Sequence, residues 1–161
     1  MVCGRKRFHS LVGAALVVVL GITAALAALA AQAAPQTPVS VFIKAEHLDG
    51  IRPDGGPVTI RMNVDMYGND ASALAGTGTV KSTTGGHVQW SLTGSMTGDV
   101  VTLTGVSTDA NNPVLIGLTG SIVANAATGM TTFTYTFPSG PFAGESGTVH
   151  GEAKVAIRIN S

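Results

Sequence analysis

The chain has 161 residues, no net formal charge, 21 glycines, one cysteine and only 11% charged side chains. That length and cysteine count exclude a disulfide framework, a cysteine zinc site and a string of domains. Beyond residue 33, six basic residues stand against nine acidic ones, so this part is mildly acidic and offers no basic surface to nucleic acid.

Residues 1–10 are short and polar and contain Arg5, Lys6 and Arg7. Residues 11–31 carry no charge, running LVGAALVVVL and then GITAALAALAA. Ala31-Gln32-Ala33 follows, a small-x-small pattern, with Ala34-Pro35 behind it. A basic start, an apolar run and a cleavage pattern in that order predict a secretory signal peptide over 1–33, helical in its apolar part. Cleavage is expected after Ala33, which makes the product secreted or extracytoplasmic, with no membrane contact once the leader is gone. The alternative is an uncleaved anchor, since about 20 apolar residues span a bilayer. The alanine-rich second half and Gly21 favour cleavage. Cys3 precedes the apolar run, which is the wrong side for a lipoprotein, and Phe8-His9-Ser10 fits a twin-arginine signal poorly.

Residues 34–38 (APQTP) read as a linker, and 39–161 as a single all-β domain. From residue 39 onward the hydrophobic period is two, the signature of half-buried strands. A first, weaker segment covers 39–48. Over 58–67, Val58, Ile60, Met62, Val64 and Met66 share one face and Thr59, Arg61, Asn63, Asp65 and Tyr67 the other. A weak segment at 73–83 follows. Val88, Trp90, Leu92, Gly94 and Met96 then alternate with His87, Gln89, Ser91, Thr93 and Ser95. Two more weak segments lie at 99–108 and 113–124. Phe133, Tyr135 and Phe137 alternate with Thr132, Thr134 and Thr136. In the last segment Val149, Gly151, Ala153, Val155, Ile157 and Ile159 form the apolar row. Threonine, 18 of them after residue 33, suits strands because its branched Cβ fits a pleated surface while its hydroxyl meets water. Gly, Asn, Asp and Pro cluster between the segments, where the backbone must reverse.

Eight strands with short connections predict an antiparallel up-and-down barrel, with a two-sheet β-sandwich as the alternative. Gly94, Gly105, Gly120 and Gly151 fall within strands, where they permit the bends of a small barrel. An outer-membrane barrel also alternates. Seven aromatics after residue 33 are too few for two girdles, and the glycines on the apolar rows are poor lipid-facing residues. The layout of leader, eight candidate strands and Trp90 on a middle strand resembles exported eight-strand barrels of the calycin type, lipocalin-like and avidin-like. The resemblance implies the barrel; it carries no motif residue by residue, and a fold alone does not give a function.

Chemistry-bearing patterns are sparse. His47, His87 and His150 have no metal-ligand spacing, so no metal is expected. Glu46 and His47 are expected on opposite faces of a regular strand. His150, Glu152, Lys154 and Arg158 share a face that Lys44 and Glu46 join if the first strand meets the last; a solvated face with cross-strand charge pairs accounts for them. Gly144-Glu145-Ser146-Gly147 is one position short of a nucleophile elbow, and no phosphate or dinucleotide loop occurs, so no cofactor is expected. The barrel interior remains. Met62, Met66, Trp90, Met96, Phe133, Tyr135 and Phe137 are the candidate lining of an apolar ligand space, and small inward positions leave it room. Residues 138–147 form the longest connection, and Phe142 in it is placed to cover the barrel mouth or plug the bottom. The expected function is non-catalytic binding of a small apolar ligand. A structural or interaction domain of the cell envelope is the alternative, and a barrel enzyme without a recognisable motif comes third. Oligomeric state and partners are not legible.

Overall fold

The computed structural model describes residues 37–160. The leader expected over 1–33 lies outside them. Each period-two segment is a strand: β1 (Val39–Ile51), β2 (Pro57–Gly68), β3 (Leu74–Ser82), β4 (His87–Thr97), β5 (Val100–Ala110), β6 (Thr119–Asn125), β7 (Met130–Thr136) and β8 (Ser146–Ile159). Each pairs antiparallel with the next, and β1 pairs with β8, so the sheet is a closed eight-stranded barrel and does not divide into a sandwich. Closure supplies every strand with two hydrogen-bonding neighbours and leaves no free edge.

The apolar rows turn inward. Val58, Ile60, Met62, Val64 and Met66 are all buried, while Arg61, Asn63 and Asp65 between them are exposed. Trp90, Leu92, Leu103, Ile122, Phe133 and Val149 join the same core. On β8 the row weakens downstream: Val149 is fully covered, Ala153, Val155 and Ile157 are half-buried, and Ile159 is exposed. The β7–β8 pairing stops at Glu152, and Ile159 pairs only with Val39 of β1, at the end of their ladder.

Two local departures from regular alternation matter. The β1 register shifts between Ala45 and Leu48 against β2, and between Lys44 and His47 against β8. This bulge adds a residue to one strand, so Glu46 and His47 are both exposed, contrary to the opposite faces expected of a regular strand. The segment read as a strand from residue 113 begins only at Thr119. Pro113 has no N–H to give a ladder, the Asn112 side chain accepts from Val114 N, and a short 3-10 turn forms at Pro113–Leu115. Gly117, at φ +80°, then reverses the chain in a region closed to other residues.

Candidate functional site

Because the strands run up and down, four connections gather at one end of the barrel: residues 52–56, 83–86, 111–118 and 137–145. Each is built by its own polar groups. Asp54 accepts from Gly56 N at 3.0 Å and holds Arg52 in an ion pair at 3.1 Å. Asn111 accepts from His87 N at 2.9 Å and donates to Gly85 O at 2.8 Å, fastening the 111–118 segment to the neighbouring turn. Ser107 is buried on the inner face of β5. Its hydroxyl donates to Leu115 O at 2.6 Å and accepts from Leu118 N at 2.8 Å, which draws Leu115 and Leu118 over the barrel. In the longest loop, Gly144 N donates to Phe137 O and Glu145 N to Phe142 O, so the loop folds on itself. That fold sets Phe142 against Phe137, with ring centroids 5.7 Å apart.

These connections frame a cavity of about 650 Å³ that opens at their end of the barrel. One wall is aromatic. Trp90 meets Phe133 edge to face at 5.4 Å and 89°, Phe133 meets Tyr135 at 5.6 Å, and Tyr135 meets Phe137 at 5.8 Å. With Phe142 this makes a continuous run of five rings from the interior to the mouth. Phe133, Tyr135 and Phe137 share a wall because they alternate along β7. Facing surfaces are aliphatic: Val58, Val80 and Val88 from the strands, Leu115 and Leu118 from the roof. The size and apolar lining match a small-molecule site.

Glycines seat the rings. A Cβ at Gly120 would stand 2.9 Å from Trp90 Cη2 and Cζ3 and 3.0 Å from Phe133 Cε2, inside van der Waals contact. The Tyr135 ring lies in the same way against Gly147, its register partner on β8. The other inward glycines leave no hollow, since methyl groups of Leu103, Leu92 and Leu48 lie over Gly94, Gly105 and Gly151.

The seven residues singled out in the sequence therefore separate. Trp90, Phe133, Tyr135 and Phe137 line the cavity together. Met62 and Met66 are completely buried within the core, and Met96 packs against it; none of the three lines the cavity. Met66 pairs with Val41 and Met96 with Val101, near the opposite end of the barrel, where Leu74, Leu103 and Ala124 fill the interior. Arg52, Ser107, Leu115 and Leu118 were not legible as site residues. Ser107 continues the inward row of Val101, Leu103 and Gly105, so alternation marks its direction, but nothing in the sequence tells that its hydroxyl ties Leu115 and Leu118 over the cavity.

Ionisable groups on the lining are confined to the mouth: Arg52, Asp54 and Tyr135. Burial is the main influence on the Tyr135 phenol and raises its pKa above the usual 10.0; Arg52 opposes this and Asp54 adds to it. Among the described residues, no hydrogen bond holds that phenol, and Arg52 Nε and Trp90 Nε1 are buried without partners. A second, shallower depression lies outside the barrel over the β1 bulge, between Lys44, Glu46, His47, Glu152 and Lys154. Lys44 pairs there with Glu46 at 2.8 Å in full solvent, and among the described residues no three metal-binding side chains converge. Compared with known protein families, characterised proteins and solved structures, the chain matches none.

Proposed function

We propose that this protein is an exported, non-catalytic barrel that takes a small apolar molecule through its open end, in the manner of calycin-type carriers. The observation that carries the reading is the asymmetry of the interior. One end is packed solid by methionine, leucine and valine, and the other holds a cavity of about 650 Å³ faced by five aromatic rings. A barrel meant only as a scaffold gains nothing from leaving that volume unfilled, because voids forfeit packing energy. The outward face supports work in water, since threonine, serine and charged side chains occupy it. The leader read from residues 1–33 supports an extracytoplasmic location.

Trp90 is the only tryptophan and sits at the inner end of the ring series, so its emission reports occupancy. Titrating the purified protein with apolar aromatic and acyl probes should change Trp90 emission saturably and raise the melting temperature. A broad panel that moves neither would refute the reading.

A second reading, as an interaction domain of the envelope, is favoured by one feature. Thr93, Thr104, Ser121, Thr134 and Thr148 are register partners across five consecutive strands and make an uncharged hydroxyl belt on the outside. This reading expects retention of the protein on isolated wall material, weakened by lysine substitutions at Thr104 and Thr134.

A further inference from the structure

The cavity has one polar corner, formed by Arg52, Asp54 and Tyr135, and its fully buried unpaired side-chain groups are donors. Ser82 and Asn111 on the lining are engaged: Ser82 Oγ accepts from Gly86 N, and Asn111 bonds through both ends of its amide. Among the described residues, the buried groups without a partner are both donors, Arg52 Nε and Trp90 Nε1, and the half-buried Tyr135 hydroxyl lines the same cavity. Buried donors without acceptors are costly, so a molecule bound here gains by bringing an acceptor. Its charge is set by the neighbours. The Arg52 guanidinium is already neutralised by Asp54 at 3.1 Å, and a carboxylate entering beside it meets the Asp54 carboxylate. The Tyr135 phenol, an uncharged group at neutral pH, donates without adding charge.

We infer that the ligand is an uncharged, carbonyl-bearing apolar molecule, its rings or chain against the Phe133–Phe137 wall and its carbonyl oxygen accepting from the Tyr135 hydroxyl. This rests on the binding reading and narrows it to one chemical class. The aromatic wall favours a flat body, since edge and face contacts to rings add to simple burial.

Three probes of nearly equal size separate the possibilities by isothermal titration: acetonaphthone, naphthoate and methylnaphthalene. Acetonaphthone should bind roughly three- to ten-fold tighter than methylnaphthalene, the range of one added neutral hydrogen bond, and tighter than naphthoate. Tyr135→Phe keeps the ring and its seat on Gly147, so it should erase the ketone's advantage over methylnaphthalene, and an unchanged circular dichroism spectrum shows that the variant is folded. Equal binding of the three probes, tightest binding of naphthoate, or a ketone preference that survives Tyr135→Phe would overturn the carbonyl assignment and leave the cavity reading standing. Failure of every probe to bind overturns both.

Discussion

Gly120 is the most exacting position in the cavity wall, and Gly120→Ala tests how the aromatic run is held. The added methyl carbon would sit 2.9 Å from two atoms of Trp90 and 3.0 Å from Phe133. Carbon atoms rest comfortably at about 3.5–4.0 Å, so three contacts fall short by roughly half an ångström or more. Trp90 and Phe133 are each only 3% exposed and lean on one another, so either ring escapes only by giving up that contact and moving into the cavity both line. Overpacking of this kind costs about 1–3 kcal/mol. Alanine returns about 0.4–1 kcal/mol by restricting the unfolded chain. The balance is a loss centred on about 1 kcal/mol, which for a domain this size lowers the melting temperature by roughly 3–6 °C. Thermal unfolding followed by circular dichroism measures it, and Trp90 emission reports the displaced ring. Combining the change with Trp90→Phe removes the nearer obstacle, so the double variant should lose less than the sum by about 1 kcal/mol. An alanine variant as stable as the parent, with unaltered emission, would refute the seating of Trp90 on Gly120.

Ser107→Ala leaves Leu118 N–H and Leu115 C=O without that hydroxyl, and should cost about 1–3 kcal/mol while speeding amide exchange at Leu118; unchanged exchange would contradict its role in holding the roof. Met66→Ala, at the filled end, should destabilise by about 2–5 kcal/mol yet leave probe affinity intact, whereas Phe137→Ala should weaken probe binding with a smaller stability loss. The reverse pattern in paired melting and titration experiments would place the binding space at the wrong end. Glu46 is held below its usual pKa of 4.5, chiefly by its hydrogen bond and ion pair with Lys44. The native state therefore gains from its charge above the ordinary carboxylate range, and that gain fades as pH falls through the lowered pKa. Lys44→Ala should return the Glu46 titration, followed by NMR, to the ordinary value; no movement would contradict the pairing.

The strands were legible where a single physical rule governs the pattern. Residues 58–67 and 87–96 alternate cleanly because one face is dry and the other wet, and the barrel buries the rows so marked. Closure of β1 on β8 does not follow from alternation, which is equally satisfied by two stacked sheets; it depends on how strongly the whole sheet coils. The bulge at Glu46 and His47 was hidden for a related reason. One extra residue breaks the period without any residue type announcing it, and the polar pair fits a regular strand end just as well. Residues 113–118 misled through composition: Val114, Leu115, Ile116 and Leu118 look like a strand, but Pro113 and Gly117 shape the backbone into a turn and a reversal. For the site, the alternation of Phe133, Tyr135 and Phe137 was enough to place them on one wall with a shared partner in Trp90. Met62, Met66 and Met96 were indistinguishable from them in sequence, because inward direction is encoded locally while depth along the barrel is encoded only by register.

The pairing of β1 with β8 joins the two strands farthest apart in the sequence. Val41, Ile43 and Leu48 on β1 must therefore wait for the final strand before their last hydrogen-bonding edge is satisfied. Such long-range pairing forms slowly. Until β8 arrives, the β1 edge stands open to a second chain, so the slowest contact to form is also the one that guards against intermolecular pairing.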